Sequence, residues 1–511
     1  MENKKQVRLK AEDPPKGWSK LTWLGAGILW ALSSVGAGVI FYGPRVAARY
    51  GYTLLWAIVV VIFFTWLIAR EIGRYTIVSG NTIMDGYQHV PGPRNWPIWI
   101  FFFSHLIDIP LFVAGQAALA GSLAVLLAPA GQFLWTAVLI VIAGTTIVLG
   151  GFKLVNNVSS WLAAGLLVAA LIMLARVFPS WGKLLQGFIP QLPKKVDLYF
   201  LIPWIGFLLI HGAPWFSYWV DRQGFGRGKP KSQGKNAGQG DSSQGDSRDW
   251  EQGGWSPKRR AEKLRGWVSL MSQIEGAGTL LAGLFAIVFY ILGAQLLGNV
   301  QVAPGIGIGQ QMASQFKDAW GPLGLWVYVL TAGIAFWTTV LDGQDGASRM
   351  ITDLTQILTN TGEFEKKDDP WYQRVPQVDA TPKKGTQRIL IPKTAVVRRG
   401  KIKHSGGFVH NYLSDKKRLK NTYVIVLGTL APIILLYFYN HPLQILSISG
   451  IIGAAITPIF TFLTLWLNRT RLPEALRPNW LSLVGTVAAG LFFTVIIVLY
   501  LLHLVGINFL Q

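Results

Sequence analysis

Long apolar stretches separated by short polar segments dominate this chain and predict a protein with many membrane helices. A helix needs about 20 apolar residues to cross a bilayer, and eleven stretches are long enough. They lie at 21–42, 52–69, 97–128, 133–152, 157–177, 198–220, 267–297, 322–342, 422–439, 443–467 and 480–507. The predicted fold class is therefore an all-α polytopic membrane protein with about 11 transmembrane helices.

Two of these stretches are interrupted at mid-span, in corresponding places of the first and second five spans. The first interruption is Ser33-Ser34-Val35-Gly36-Ala37-Gly38, and the second is His211-Gly212-Ala213-Pro214. Gly and Pro there free backbone polar groups that hydrocarbon cannot satisfy. Paired interruptions indicate discontinuous helices 1 and 6 of a five-plus-five inverted repeat with a midplane binding site. Two ordinary packing kinks are the alternative interpretation.

The residues at the two interruptions are the candidates for binding a substrate. Gly38 in particular favours backbone angles that a branched side chain resists. The imidazole of His211 is able to bind a metal, carry a proton or cap the freed backbone, although a lone His is more often structural. The predicted substrate-binding residues are Gly36, Ala37, Gly38, Val39, His211, Gly212, Ala213, Pro214 and Ser217. For Ser217, packing is the alternative role.

Ionisable residues inside spans are costly and usually face a cavity or one another. His105 and Asp108 are three residues apart and share one helix face, so the pair is suited to proton transfer, to cation binding or to locking helix packing. Glu275 is placed to line an inner vestibule. At the end of the eighth span, Asp342 and Asp345 are placed to form a gate with Arg349, and the alternative is that they only cap the helix. The proton relay or gate candidates are His105, Asp108, Glu275, Asp342, Asp345 and Arg349.

Composition supports a membrane protein and excludes an ordinary soluble domain. Hydrophobic residues make up 51% of the chain, charged residues only 14%, and the mean hydropathy is +0.38. The chain has no Cys, so disulfides and thiolate metal sites are excluded. No phosphate-binding P-loop is present. We expect neither an enzyme nor a bound cofactor.

The net charge of +22 is explained by its distribution along the chain. If the N-terminus lies in the cytoplasm, 40 of the 47 Lys and Arg residues fall on the inner side of the eleven spans. This asymmetry follows the positive-inside rule. It predicts a plasma membrane protein with its N-terminus inside and its C-terminus outside, whose partners are the lipid bilayer and a transported ion or small solute. No nucleic-acid partner is expected.

Two long polar insertions divide the membrane part. The predicted organisation is a cytoplasmic tail at 1–20, helices 1–6 at 21–220, a disordered insertion at 221–263, helices 7–8 at 264–360, a basic insertion at 361–420 and helices 9–11 at 421–511. The first insertion is rich in Gly, Ser and Gln. The second contains apolar runs at 388–391 and 394–397, which are able to form short strands or to bind a protein partner. A solvated linker is the alternative.

The segment from Gly25-Ala26-Gly27 to Gly51-Tyr52-Thr53-Leu54-Leu55-Trp56 resembles the Nramp family of divalent-metal transporters. Weaker similarity lies at Thr457-Pro458 and at Asn468-Arg469-Thr470-Arg471, followed by Asn479-Trp480. The resemblance covers most of the membrane part and neither insertion. It implies the five-plus-five inverted repeat and a midplane site.

The chain departs from this family at the metal ligands. Where the family has Asp-Pro-Gly-Asn in its first helix, this chain has Gly36-Ala37-Gly38-Val39, and the family's Met-Pro-His corresponds to Ala213-Pro214-Trp215. Carboxylate, imidazole and thioether ligands for a transition metal are thus missing at those positions. The resemblance is to a divergent Nramp-related protein without the usual metal-ligand motifs.

The leading hypothesis is a secondary transporter that moves an inorganic cation, divalent and possibly hydrated, by alternating access. Backbone carbonyls and water would hold such a hard cation. One alternative is a small organic or anionic solute held at the half-helix N-termini. Another is a membrane subunit that has lost transport and serves a structural or regulatory purpose.

Overall fold

The structure is a computed structural model that describes residues 13–20, 23, 35–128, 130–150, 152–208, 211–226, 257–298, 307–361 and 408–507. Over these residues the regular elements are helices. Eight helices are long and apolar enough to cross a membrane. The all-α membrane fold expected from the hydropathy pattern is confirmed.

The helices are numbered here in chain order. They are α1 (Gly43–Tyr50), α2 (Leu55–Ser79), α3 (Ile83–Tyr87), α4 (Trp96–Ala124), α5 (Gln132–Leu149), α6 (Phe152–Arg176), α7 (Trp181–Gly187), α8 (Leu198–Phe207), α9 (Phe216–Gln223), α10 (Pro257–Leu297), α11 (Ile308–Trp320), α12 (Pro322–Thr359), α13 (Phe408–Ser414), α14 (Lys416–Ile425), α15 (Ala431–Phe438), α16 (Pro442–Thr470) and α17 (Trp480–Leu504). A π-helical segment, Val426–Leu430, joins α14 to α15, so that Lys416–Phe438 forms one candidate span.

Two helices extend well beyond the spans expected from hydropathy. α12 continues to Thr359 instead of ending near residue 342, and α10 begins at Pro257 instead of near 267. The added turns of α12 carry polar side chains, including Gln344, Ser348 and Asp353, which are buried. Hydropathy ends a span where polar residues begin, but neighbouring helices cover these residues, so the helix continues.

Both predicted insertions are shorter at their C-terminal ends than expected. α10 begins inside the predicted 221–263 insertion, and α13 and α14 begin inside 361–420. Residues 227–256 and 362–407, with the runs at 388–391 and 394–397, lie outside the described residues. Ser33 and Ser34 of the first predicted interruption, with residues 24–32 before it, also lie outside them.

Several helices cross at glycines, which allow two backbones to approach closely. A Cβ atom added to Gly206 of α8 would lie 1.9 Å from the carbonyl oxygen of Gly450 in α16. A Cβ added to Gly293 of α10 would lie 2.2 Å from the Cα of Pro44 in α1. These contacts fix the second half of the chain against the two short helices α1 and α8.

A buried ion pair ties α2 to α16 and α17. Arg74 donates two hydrogen bonds to the carboxylate of Glu71, at 2.9 and 3.2 Å. Asn468 and Ser482 donate two more to the same carboxylate, at 2.9 and 2.6 Å. Because every oxygen of this fully buried carboxylate is satisfied, the group acts as a structural link between three spans.

Candidate functional site

The first interruption leads directly into an irregular helix start. Val35 and Gly36 are not helical, a π-helix covers Ala37–Tyr42, and α1 follows from Gly43. The amides of Val39 and Ile40 both donate to the carbonyl oxygen of Gly36, at 3.1 and 3.0 Å. The predicted substrate-binding residues Gly36, Ala37, Gly38 and Val39 are all buried.

The second interruption is a true break in a helix. α8 ends at Phe207, Leu208 leaves the helical conformation, and a 3₁₀ turn covers Ala213–Trp215 before α9 begins at Phe216. Residues 209–210 lie outside the described part of the chain. Pro214 stands at the start of the 3₁₀ turn, where its missing N–H removes no helical hydrogen bond.

The two interruptions are in direct contact. A Cβ atom added to Gly38 would lie 2.4 Å from the carbonyl oxygen of Phe207, the last residue of α8. The rings of Tyr42 and Phe207 stack with their centroids 5.9 Å apart, and the Tyr42 hydroxyl lies 2.8 Å from Oγ of Ser447. The midplane site expected between the interruptions therefore has closely packed walls.

A buried acid from α4 reaches the second interruption. Oδ2 of Asp108 lies 3.0 Å from Nε2 of His211. The other carboxylate oxygen accepts a 2.6 Å hydrogen bond from Oγ of Ser449 in α16. Asp108, His211 and Ser449 are 2%, 6% and 0% exposed. Three separate segments thus meet at one carboxylate in the interior, which is the arrangement expected of a functional group inside a membrane.

Aromatic rings hold the His211 imidazole in place. It stacks on Phe112 of α4 and on Phe207 of α8, with centroid distances of 4.7 and 5.2 Å. Trp215 meets it edge-on at 5.8 Å. On its remaining side lies Gly453 of α16, where an added Cβ would come 2.3 Å from Nδ1 of the imidazole.

The expected pairing of His105 with Asp108 is not the one that forms. Both side chains are buried on the same face of α4, as predicted. However, Nδ1 of His105 lies 3.0 Å from the carbonyl oxygen of Phe101 and 3.3 Å from Oγ of Ser104. The Asp108 carboxylate lies against the imidazole of His211 instead. His105 binds its own helix because that carbonyl is one turn away, whereas Asp108 points to the break.

Two further candidates have partners outside this cluster. Oγ of Ser217 lies 2.8 Å from Oγ1 of Thr76 and accepts a 2.8 Å hydrogen bond from the amide of Ile83, so it joins α9 to α2 and α3. Glu275 is buried in α10, where Oε1 accepts a 2.7 Å hydrogen bond from Thr279. The structure brings neither residue to Asp108.

The acids at the end of the eighth predicted span form an ion-pair network between elements. Asp345 of α12 accepts from Nε and Nη2 of Arg349 at 2.9 and 3.0 Å and from Nζ of Lys420 in α14 at 3.2 Å. Nη1 of Arg222 in α9 lies 3.5 Å from the same carboxylate. Asp342 lies one turn earlier and is half-buried. The network links the second half of the broken helix to α12 and α14.

Sequence reasoning missed the residues that complete the Asp108 cluster. Ser449 and Gly453 belong to an apolar span, and Phe112 and Phe207 look like ordinary membrane-facing residues in the sequence. The available signal was the run of small and hydroxyl residues in α16, where Ser447, Ser449, Gly450 and Gly453 follow one another. Small residues in a span indicate a closely packed helix face.

The described residues contain no group of three or more His, Asp or Glu side chains arranged to hold a metal ion. The Asp108 cluster offers one carboxylate, one imidazole and one hydroxyl.

Comparisons with known proteins show similarity to one family over part of the chain and a shared fold. Residues 27–233 match the model of the family described as natural resistance-associated macrophage protein-like, or Nramp. A curated relative, an uncharacterized protein of Pasteurella multocida, is 29% identical over 164 residues, which are 31% of this chain and 37% of that protein. The chain therefore matches little more than a third of that relative's length.

Solved structures show the same fold over nearly the whole chain. A mutant of the Eremococcus coleocola manganese transporter has 13% sequence identity and a TM-score of 0.64, with 96% of this chain and 89% of that chain covered. The same transporter bound to an aromatic bis-isothiourea compound gives 14% identity and a TM-score of 0.61 at the same coverage.

The helices, the family match and the shared fold lead to one conclusion. Among the described residues, eight helices have the length and apolarity of membrane spans, and both interruptions lie within the segment that matches the family model. The chain is an integral membrane protein, and its residues 27–233 are similar to the Nramp family.

Proposed function

We propose that this chain is a secondary transporter that moves an inorganic cation across the plasma membrane by alternating access. The single observation that carries the proposal is the buried Asp108 carboxylate, which lies 3.0 Å from His211 at the second helix break. That break also contacts the first interruption, because Gly38 packs on the Phe207 carbonyl. A carboxylate at the meeting point of two interrupted helices is suited to binding a cation at mid-membrane.

The ligand chemistry favours a hard cation, divalent and partly hydrated. Asp108 and Ser449 supply oxygen atoms, and the broken helix supplies backbone carbonyls. Mg²⁺ keeps several waters and needs only one or two carboxylates. A dehydrated transition metal would need more nitrogen or sulfur ligands than this site offers. The related Eremococcus coleocola protein is named a manganese transporter, and the substituted ligand positions favour a different cation here.

The charge at the break disfavours an anionic solute. An anion bound between the interruptions would lie near the buried Asp108 carboxylate and would be repelled by it. The half-helix N-terminus at Phe216 offers only a partial positive charge, weaker than one full negative charge. We therefore place an anionic substrate second.

Transport into proteoliposomes tests the proposal. The purified chain is reconstituted, and Mg²⁺ uptake is followed with an entrapped fluorescent indicator in the presence of a proton gradient. We expect uptake by the wild-type chain and its loss in Asp108→Asn. Asp197→Asn is the matched control. Asp197 forms an exposed ion pair with Arg49, with the charged atoms 2.8 Å apart, and this pair lies away from the break.

A chain that folds and takes up no divalent cation under either gradient direction would contradict the proposal. Stoichiometric copurification of another membrane protein with such a chain would instead support the structural or regulatory role. Uptake of a small carboxylate that persists in Asp108→Asn would support the anionic alternative.

A further inference from the structure

The imidazole of His211 occupies the position against Asp108 that a bound cation would take. One carboxylate oxygen of Asp108 is 3.0 Å from Nε2 of His211, and the other accepts the Ser449 hydroxyl. Both oxygens are therefore engaged by groups of this chain. A cation cannot coordinate Oδ2 directly while the imidazole remains there.

The space around the imidazole fits this side chain closely. Phe112 and Phe207 stack on it within 15° and 25° of parallel. Gly453 leaves room for Nδ1, since any side chain there would begin 2.3 Å from that atom. Nδ1 and Nε2 are both buried without a hydrogen-bond partner, and Nε2 has only its 3.0 Å approach to Oδ2 of Asp108. Packing between the aromatic rings therefore holds the imidazole beside Asp108.

We infer that His211 is a tethered occupant of the cation site, which the cargo must displace to reach Asp108. The inference rests on the proposed function and extends it to the regulation of the same site. The ring acts as an internal competitor, so the wild-type site has low affinity. Removing the ring leaves a buried carboxylate and a hydroxyl, Asp108 and Ser449, beside a ring-sized space. Oxygen ligands of this kind select a hard cation with its water, such as Mg²⁺.

Calorimetry on the purified full chain tests this inference, with magnesium chloride as the probe and sodium chloride as the ionic-strength control. We expect His211→Ala to bind Mg²⁺ about tenfold more tightly than the wild type, since a buried acceptor without its partner carries a free-energy cost of that order. The gain should disappear in the double variant His211→Ala with Asp108→Asn.

Two further variants test whether the His211 side chain against Asp108, and not merely the creation of space in the interior, sets the Mg²⁺ affinity. Phe101→Ala removes a buried ring from the same helix as Asp108, one that stacks on Tyr87 and not on His211, so its Mg²⁺ affinity should stay at the wild-type level. His211→Val keeps an apolar side chain between the aromatic rings but is too short to reach Asp108; it should still bind Mg²⁺ more tightly than the wild type. If His211→Ala fails to fold, His211→Val decides the question.

Three results would overturn the inference: wild-type affinity in a folded His211 variant, an equal gain in Phe101→Ala, or a gain that survives Asp108→Asn. Each is distinguishable from failure of the proposed function. Wild-type uptake with no gain in the His211 variants would leave the transporter proposal standing. A gain in those variants without wild-type uptake would leave the tethered occupant standing in a chain that does not transport.

Discussion

Glycine is required at the first interruption because neighbouring segments lie too close to leave room for a side chain. Gly38 does not have a positive φ angle, so the expectation that unusual backbone angles require glycine there is wrong. The reason lies in packing, because the Cα of Gly38 faces the carbonyl oxygen of Phe207. Any side chain at this position would push the two interrupted helices apart.

We predict that Gly38→Ala lowers both thermal stability and transport. The added methyl would start 2.4 Å from a backbone oxygen, which cannot rotate away, and overpacking of this kind typically costs about 1–3 kcal/mol. A thermal unfolding scan in detergent and the uptake assay measure the two effects. Gly165→Ala is the control, since nothing lies within 4 Å of its added Cβ. Normal stability in Gly38→Ala would refute the contact.

Gly36 faces a side chain, so a second substitution should restore the stability that a change at Gly36 removes. A Cβ added there would lie 2.7 Å from Oγ1 of Thr339 in α12. We predict that Gly36→Ala is destabilised and that Gly36→Ala with Thr339→Ala recovers much of the loss, because the second change removes the clashing atoms. A double-mutant cycle of melting temperatures measures this. Strict additivity of the two single changes would show that the contact does not form.

Elements are held together by two ion-pair groups of different character. The Glu71 group joins α2, α16 and α17, and both oxygens of the Glu71 carboxylate have partners within the protein interior. The Asp345 network joins α9, α12 and α14, and the Arg222 side chain in it is about half exposed. The Asp345 carboxylate is buried, but an ion pair with a half-exposed partner such as Arg222 breaks more easily than a fully buried one. This makes the Asp345 network the better candidate for a gate that opens during transport.

We predict that Glu71→Gln destabilises the folded chain by about 3–5 kcal/mol, the usual result of leaving a buried charge without its partner. Glu71→Gln together with Arg74→Met should recover part of the loss. Chemical unfolding in detergent measures both variants. Arg418→Gln is the control, because it breaks an exposed pair with Asp415 whose loss should cost at most about 1 kcal/mol. Equal effects of Glu71→Gln and Arg418→Gln would contradict a structural link.

The topology of the whole molecule rests on the distribution of charge. We predict that the N-terminus and residues 227–256 and 362–407 face the cytoplasm, because 40 of 47 Lys and Arg residues then lie inside. The chain has no Cys, so a cysteine introduced at Lys235 reports its side without background. It should react with an impermeant reagent only after the membrane is opened. Labelling from outside would reverse the predicted orientation.

The insertion that contains Lys235 should be dispensable for folding, but the structure limits where a deletion can begin. Phe225 is buried and its ring lies 4.9 Å from that of Trp23 and 6.1 Å from that of Trp267, so a deletion must begin after it. We predict that removal of 227–249 leaves expression and melting temperature nearly unchanged, since its composition offers little apolar surface to bury. Size-exclusion chromatography checks this. Aggregation of the shortened chain would show that the segment packs on the protein.

The sequence by itself determined the features that depend on local pattern. Apolar length predicted membrane spans, Gly and Pro marked the break after Phe207, and the three-residue spacing placed His105 and Asp108 on one buried face. The span pattern failed in the second half of α12, where Asp345 and Ser348 are polar but covered by other helices. Local hydropathy reports the residue and its neighbours in sequence, so it cannot include this cover.

Only the tertiary structure decided which groups meet. Asp108 pairs with His211 and Ser449 instead of His105, because each partner comes from a different helix and the packing of α4, α8 and α16 sets their distances. Ser217 turned to Thr76 for the same reason. Periodicity gives the face on which a side chain lies, but the partner across an interface depends on helix crossing points, here the glycine contacts at Gly206 and Gly38.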